Sequence, residues 1–133
     1  GQTAEWGLPA FARGRALENV FGSNLGWNFP VIDKFMDGVA TSIKSIDINA
    51  KTYQNLNALS SKLKGYVDSV AGFLADGSKK RWDGKVINGS NIQSRQLQVI
   101  IPKGSLTDGT SKVFQEMTDY AKNVGVDFKS IEH

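Results

Sequence analysis

The sequence predicts an α/β fold of the α+β kind, with a central mixed β-sheet flanked by helices. Three observations lead there. Helical and strand-like periodicities alternate along the chain in the order α-β-β-α-(β)-β-α-β. An Asp37-Gly38 pair separates two apolar runs, which marks a β-hairpin near the middle of that order. The chain has 133 residues, of which 40% are hydrophobic and 22% charged, enough to bury one ordinary core in a single domain spanning 1–133.

The elements follow in order. Residues 1–10 contain Gly1, Gly7 and Pro9 without a period and read as a loose leader. Over 10–21 the apolar residues Phe11, Ala12, Ala16, Leu17, Val20 and Phe21 recur at three-to-four spacing, the pattern of an amphipathic helix that Gly22 and Ser23 end. A hairpin is expected over 29–48. Phe29, Val31, Ile32 and Phe35 mark its first strand, and Val39, Thr41, Ile43, Ile46 and Ile48 its β-branched partner. Residues 54–75 carry Leu56, Leu59, Leu63, Tyr66, Val67, Val70, Phe73 and Leu74 at helical spacing, with Asp76-Gly77 as the stop. The stretch 78–94 is polar and glycine-containing, with room for a short strand at 85–87. Leu97, Val99 and Ile101 alternate with Gln96, Gln98 and Ile100 in a strand over 95–102. A helix over 110–123 sets Val113, Met117, Tyr120 and Ala121 on one face and closes at Gly125, and 126–131 alternates as a last strand.

Composition removes several chemistries. There is no cysteine, so disulfides, thiolate metal sites and cysteine nucleophiles are excluded. The one histidine, His133, is the last residue, where chains usually fray, so histidine acid–base catalysis is not expected. Hydrolytic chemistry in this chain is left to carboxylates, lysine and a bound metal. No stretch approaches the roughly 18 apolar residues of a membrane span. The sequence begins at Gly1 without an initiator Met and is expected to be a piece of a longer protein. The net charge of +3 permits a polyanionic partner without requiring one.

The hairpin holds the most suggestive chemistry. Asp33 lies on its first strand and Ser42-Ile43-Lys44 on its second. Side chains alternate along a strand, so Ser42 and Lys44 share a face. With the turn at Asp37-Gly38, a carboxylate, a hydroxyl and an ammonium fall roughly opposite one another, and Glu18 on the preceding helix can reach over the same sheet edge. Phosphodiester hydrolysis uses such a set: carboxylates bind a hard cation, and a lysine offsets transition-state charge. On spacing alone the ordinary alternatives stand beside this, with Asp33 a strand-end acid, Lys44 an edge-strand lysine and Glu18 a surface acid. Arg13 and Arg95 are candidate phosphate contacts. Lys79-Lys80-Arg81-Trp82 is a basic run with an aromatic, in which Lys80 and Arg81 could track a nucleic-acid backbone, although such a run is more often a solvated loop.

Three segments together resemble a known family. They are Arg13-Gly14-Arg15-Ala16-Leu17-Glu18, Asn28-Phe29-Pro30-Val31-Ile32-Asp33 and Ala40-Thr41-Ser42-Ile43-Lys44-Ser45-Ile46-Asp47. They look like the C-terminal toxin domain of contact-dependent growth inhibition effectors of the CdiA type, and the similarity extends in outline through 95–102 and the last helix. The resemblance implies a restriction-endonuclease-like fold and a metal-dependent nuclease. It implies Glu18, Asp33, Ser42 and Lys44 as the catalytic set, with Glu18 and Asp33 as ligands of a divalent cation (Mg2+, Mn2+ or Zn2+). The wider endonuclease superfamily carries an acid where Ser42 stands, and the toxin family shares that departure. The resemblance also implies a cognate immunity protein, export as part of a larger cell-surface protein and action in the target-cell cytoplasm. It further implies a nucleic-acid substrate, with tRNA slightly ahead of DNA. A non-catalytic module binding nucleic acid or protein is the alternative, as is a structural adaptor.

Overall fold

Strand β1 (Lys34–Met36) and strand β2 (Val39–Ser45) form the hairpin, and its turn is the Asp-Gly pair. Asp37 and Gly38 have φ of 53° and 81°, the double left-handed turn whose twist suits a two-residue hairpin. A side chain at Gly38 would also collide with Gln93, 2.8 Å from its Cβ position. The computed structural model describes residues 4–25, 31–74, 76–80 and 86–133; for 76–80 and 86 it describes the backbone.

Helix α1 (Ala10–Val20) precedes the hairpin and α2 (Leu56–Ala71) follows it. Next come the short strands β3 (Asp76–Lys80) and β4 (Val86–Asn88), strand β5 (Ser94–Ile101), helix α3 (Asp108–Asn123) and strand β6 (Asp127–Glu132). The main sheet has the order β1-β2-β5-β6. β1 runs antiparallel to β2, while β2, β5 and β6 are mutually parallel. The predicted mixed sheet with flanking helices is therefore present.

Each face of the sheet has its own cover. Leu97, Val99 and Ile101 of β5 point toward α2 and α3, where they meet Leu59, Leu63 and Val67 of α2 and Val113, Phe114 and Met117 of α3. The intervening Ile100 points the other way and joins Ile43, Leu17 of α1 and Trp6. β5 is buried on both faces at this end, as a central parallel strand must be. A third cluster of Leu25, Ile32, Phe35, Ala40, Phe73 and Ile87 closes the hairpin end.

Several boundaries differ from the sequence expectation. α2 begins at Leu56 rather than 54, because Asn55 caps it, accepting from the backbone N–H of Asn57 at 3.0 Å and of Ala58 at 3.3 Å. It ends at Ala71 rather than 75, and Asp76-Gly77 opens β3 instead of stopping a helix. β3 and β4 form an antiparallel ribbon in the stretch expected to be mostly loop. The first strand of the hairpin is shorter than expected; residues 26–30 lie outside the described residues. α3 keeps its predicted end, with Gly125 at φ 82° and a Thr107–Thr110 capping box at its start.

Within the described residues, the 3-10 turn that precedes α1 meets the C-terminal His133. Trp6, in a 3-10 turn over Ala4–Gly7, is buried, and its indole N–H donates to the His133 carbonyl at 2.9 Å. His133 continues the backbone pairing through its N–H to the Ile101 carbonyl, and its ring meets Phe21 edge-on at 5.4 Å. Burial of one large indole supplies the driving force that periodicity cannot show. No helix among the described residues is long and apolar enough to cross a membrane.

Candidate active site

β1 pairs with β2 only as far back as Lys34 opposite Thr41. Before that point the chain turns off, and the rest of β2 becomes a sheet edge facing α1 on one side and α2 on the other. The turn-off includes Val31, whose φ of 68° is left-handed, a conformation that costs a β-branched residue about 1–3 kcal/mol. This edge opens into a cavity of about 710 Å³ lined by Glu18 of α1, Asp33, Lys44 of β2 and Tyr66 of α2, among others.

Asp33 is oriented by the backbone. Its N–H donates to the Thr41 carbonyl at 2.8 Å, and its Oδ2 accepts from the Ile43 N–H at 2.7 Å. Burial pushes its pKa above the ordinary 3.8; the Ile43 N–H, Lys44 and Glu18 each pull back without cancelling the rise. Glu18 reaches the same place because its neighbour Leu17 is fully buried and fixes the rotation of α1. Burial first, then the Asp33 charge and a hydrogen bond with Asp33, raise the Glu18 carboxyl from 4.5 to about 7, against the lowering effect of Lys44 and Arg15. The two acids therefore share a poorly hydrated site and tend to hold a proton between them.

Lys44 lies close enough to both acids to lower their pKa values, and its Nζ is 5.6 Å from the centre of the Tyr66 ring. Arg13 lines the same cavity. Its Nε donates to the Ser45 hydroxyl at 3.3 Å and its guanidinium lies 5.2 Å from the Trp6 ring centre, which joins α1 to the end of β2. Four cationic side chains (Arg13, Arg15, Lys44 and Lys62) line the cavity against the two acids. The local balance is positive, which favours a polyanion.

Of the residues singled out by sequence, Glu18, Asp33, Lys44 and Arg13 share this cavity. Ser42 is on the same strand face as Lys44 but one step further in, paired alongside Leu97 and 1% exposed, with no partner for its hydroxyl among the described residues. It is not part of the cavity wall. Arg95 is also elsewhere: its Nη1 donates to the carbonyls of Val70 at 2.8 Å and Phe73 at 2.6 Å, so it caps the C-terminus of α2. Lys80 lies in β3, where the backbone alone is described, and Arg81 lies outside the described residues. Sequence reasoning missed Arg15, Tyr53, Lys62 and Tyr66. The Lys62–Tyr66 spacing of one helical turn was the available signal, but Tyr66 reads as core because it sits beside the apolar stripe.

The donor set can accept a hard divalent cation. Two carboxylates converge and repel one another when both are ionised, and a cation would relieve that repulsion. Among the described residues no group of three or more His, Cys, Asp or Glu side chains forms, so protein would supply two ligands and water or phosphate oxygens the rest.

The family model for CDI toxin restriction endonuclease-like domains matches residues 13–131. The fold is also similar to a chain of the CdiA-CT/CdiI toxin and immunity complex from Yersinia pseudotuberculosis. The TM-score is 0.66 and the identity 24%, covering 95% of this chain and 99% of that one. No curated protein matches.

Proposed function

The chain belongs to the CDI toxin restriction endonuclease-like family, and from that premise we propose that Glu18, Asp33 and Lys44 hydrolyse phosphodiester bonds of nucleic acid in a competing bacterium. The observation that carries the proposal is the convergence of those three side chains in one cavity, at the point where β1 leaves the β2 edge. tRNA is the first substrate to test and DNA the second.

Glu18 and Asp33 would hold the divalent cation. Bound there, a cation supplies Lewis-acid polarisation of the phosphate and a more acidic water. The Ile43 N–H keeps the Asp33 carboxylate aimed into the cavity. Lys44 donates to a non-bridging phosphate oxygen and offsets the negative charge that grows as water attacks phosphorus and the P–O bond to the leaving oxygen breaks. With a cation bound, both carboxylates stay ionised, so the proton of the attacking water passes to solvent rather than to Glu18. Arg13 and Arg15 on the α1 side favour the substrate phosphates. Ser42 supports the strand from inside rather than touching substrate.

The Yersinia chain is described in complex with CdiI immunity protein. We extend the same arrangement to this chain: a cognate immunity protein neutralises it in its producer. Export within a larger cell-surface protein and action in the target-cell cytoplasm belong to the same reading.

The test incubates the purified chain with bulk tRNA and with supercoiled plasmid, in EDTA and in Mg2+, Mn2+ or Zn2+. Cleavage of either nucleic acid that needs a cation, and is lost in Asp33→Asn and Lys44→Ala, supports the proposal. A folded wild-type chain that cuts neither under any cation, and leaves both intact when expressed in a bacterium, refutes it.

A further inference from the structure

Lys62 and Tyr66 are one turn apart on α2, beside the buried stripe of Leu59, Leu63 and Val67. The Tyr66 ring is partly buried against the main core, which fixes it in place. Two ammonium groups converge on this one ring: Lys62 Nζ lies 5.2 Å and Lys44 Nζ 5.6 Å from its centre. The ring's negative face attracts both cations, which otherwise repel. Lys44 has Glu18 and Asp33 nearby. Lys62 is exposed, lines the cavity and forms no ion pair among the described residues. A cation without an ion-pair partner among the described residues thus lines the same cavity as the acid pair, on the α2 side.

From this geometry we infer that α2 provides a phosphate subsite to the same cavity: Lys62 binds a backbone phosphate next to the scissile one, and the Tyr66 ring is a positioning residue for both Lys62 and Lys44. The inference rests on the nuclease reading above. Lys62 carries binding, because it stands apart from the carboxylates. Tyr66 carries alignment, because loss of its ring frees both ammonium groups. The Tyr66 hydroxyl also lies within hydrogen-bonding range of the Lys62 ammonium, so Phe keeps the ring's hold on Lys44 but loses the hydroxyl's hold on Lys62.

The experiment has two readouts. Binding is measured by fluorescence anisotropy in EDTA, at several salt concentrations, with labelled bulk tRNA and a labelled duplex DNA fragment as probes. Lys62→Gln should weaken the tighter of the two about 3–10-fold and reduce the salt slope by about one. Lys112→Gln, on α3 away from the cavity, should leave both unchanged. Cleavage is measured on the nucleic acid that the wild type cuts. Lys62→Gln should raise KM more than it lowers kcat. Tyr66→Leu should lower kcat and raise KM, and Tyr66→Phe should restore kcat, which depends on the ring's hold on Lys44. A folded Lys62→Gln with wild-type affinity and salt slope overturns the subsite. A folded Tyr66→Phe with a kcat as low as that of Tyr66→Leu overturns the positioning role of the ring. If the wild type cuts neither nucleic acid, the nuclease reading fails by itself, and the salt slope still decides whether Lys62 binds phosphate.

Discussion

Replacing Glu18 with Gln should stabilise the cation-free protein at alkaline pH while abolishing cleavage. The Glu18 carboxyl is raised from 4.5 to about 7. Below 4.5 both the folded and the unfolded chain hold the proton, so folding costs nothing there. As pH rises from 4.5 to 7 the unfolded chain releases the proton and the folded chain keeps it; stability falls over that window, and the loss is complete above it. A shift of that size is worth about 3 kcal/mol at full burial. Glu18 is only partly buried, at the wall of an open cavity, where solvent screening reduces the penalty to about 1–2 kcal/mol. Gln resembles the protonated acid in shape and can still donate to Asp33. Urea unfolding in EDTA, followed through tryptophan fluorescence, should therefore give nearly equal stabilities for wild type and Glu18→Gln at pH 4.5. At pH 8 the variant should be more stable by about 1–2 kcal/mol. Added cation should then stabilise the wild type and not the variant, because only the wild type retains both carboxylates. Equal or lower variant stability at pH 8, with a wild-type fold by circular dichroism, would refute the reasoning about the acid pair.

Four further outcomes follow from the same geometry. Lys44→Ala should cut activity by a factor on the order of 100 or more, and it should raise the Glu18 pKa further, readable as a shift of the stability-versus-pH curve to higher pH. Ser42→Ala removes a buried hydroxyl without a partner among the described residues and should be neutral or stabilising by about 1 kcal/mol, seen as an unchanged or higher Tm. Arg95→Met leaves the α2 carbonyls uncapped and should cost about 1.5–3 kcal/mol of stability, with cleavage retained well below its Tm. Gly38→Ala should cost about 1–3 kcal/mol, since the left-handed turn resists a Cβ while the exposed Gln93 side chain can move aside; a Tm equal to wild type would contradict the turn geometry.

Local chemistry was legible wherever a residue's role depends on its neighbours in sequence. The Asp37-Gly38 turn, the alternation of Leu97, Val99 and Ile101 and the stripe on α3 all appear where expected, because backbone preference and burial period are short-range properties. The placement of Asp33 beside Lys44 follows from the same turn: once the hairpin register is set, the strands leave little choice. The sequence by itself thus determined the helices, the hairpin and the pairing of an acid with a lysine at a strand edge.

The tertiary structure decided what those elements meet. Periodicity marks Leu17 as buried but not that its burial turns Glu18 over the β2 edge. Arg95 looks like any basic residue at a strand start until α2 ends against it. Trp6 and His133 look dispensable until the indole of one is seen to hydrogen-bond to the carbonyl of the other. The β3–β4 ribbon carries no apolar alternation, and what anchors it is Ile87, buried among residues distant in the chain: Leu25, Ile32, Phe35, Ala40 and Phe73. Ser42 and Lys44 share a face in any regular strand. Only the helix packed over that face determines that Ser42 is sealed in while Lys44 reaches the cavity, because solvent access is a property of the assembled layers and not of the strand.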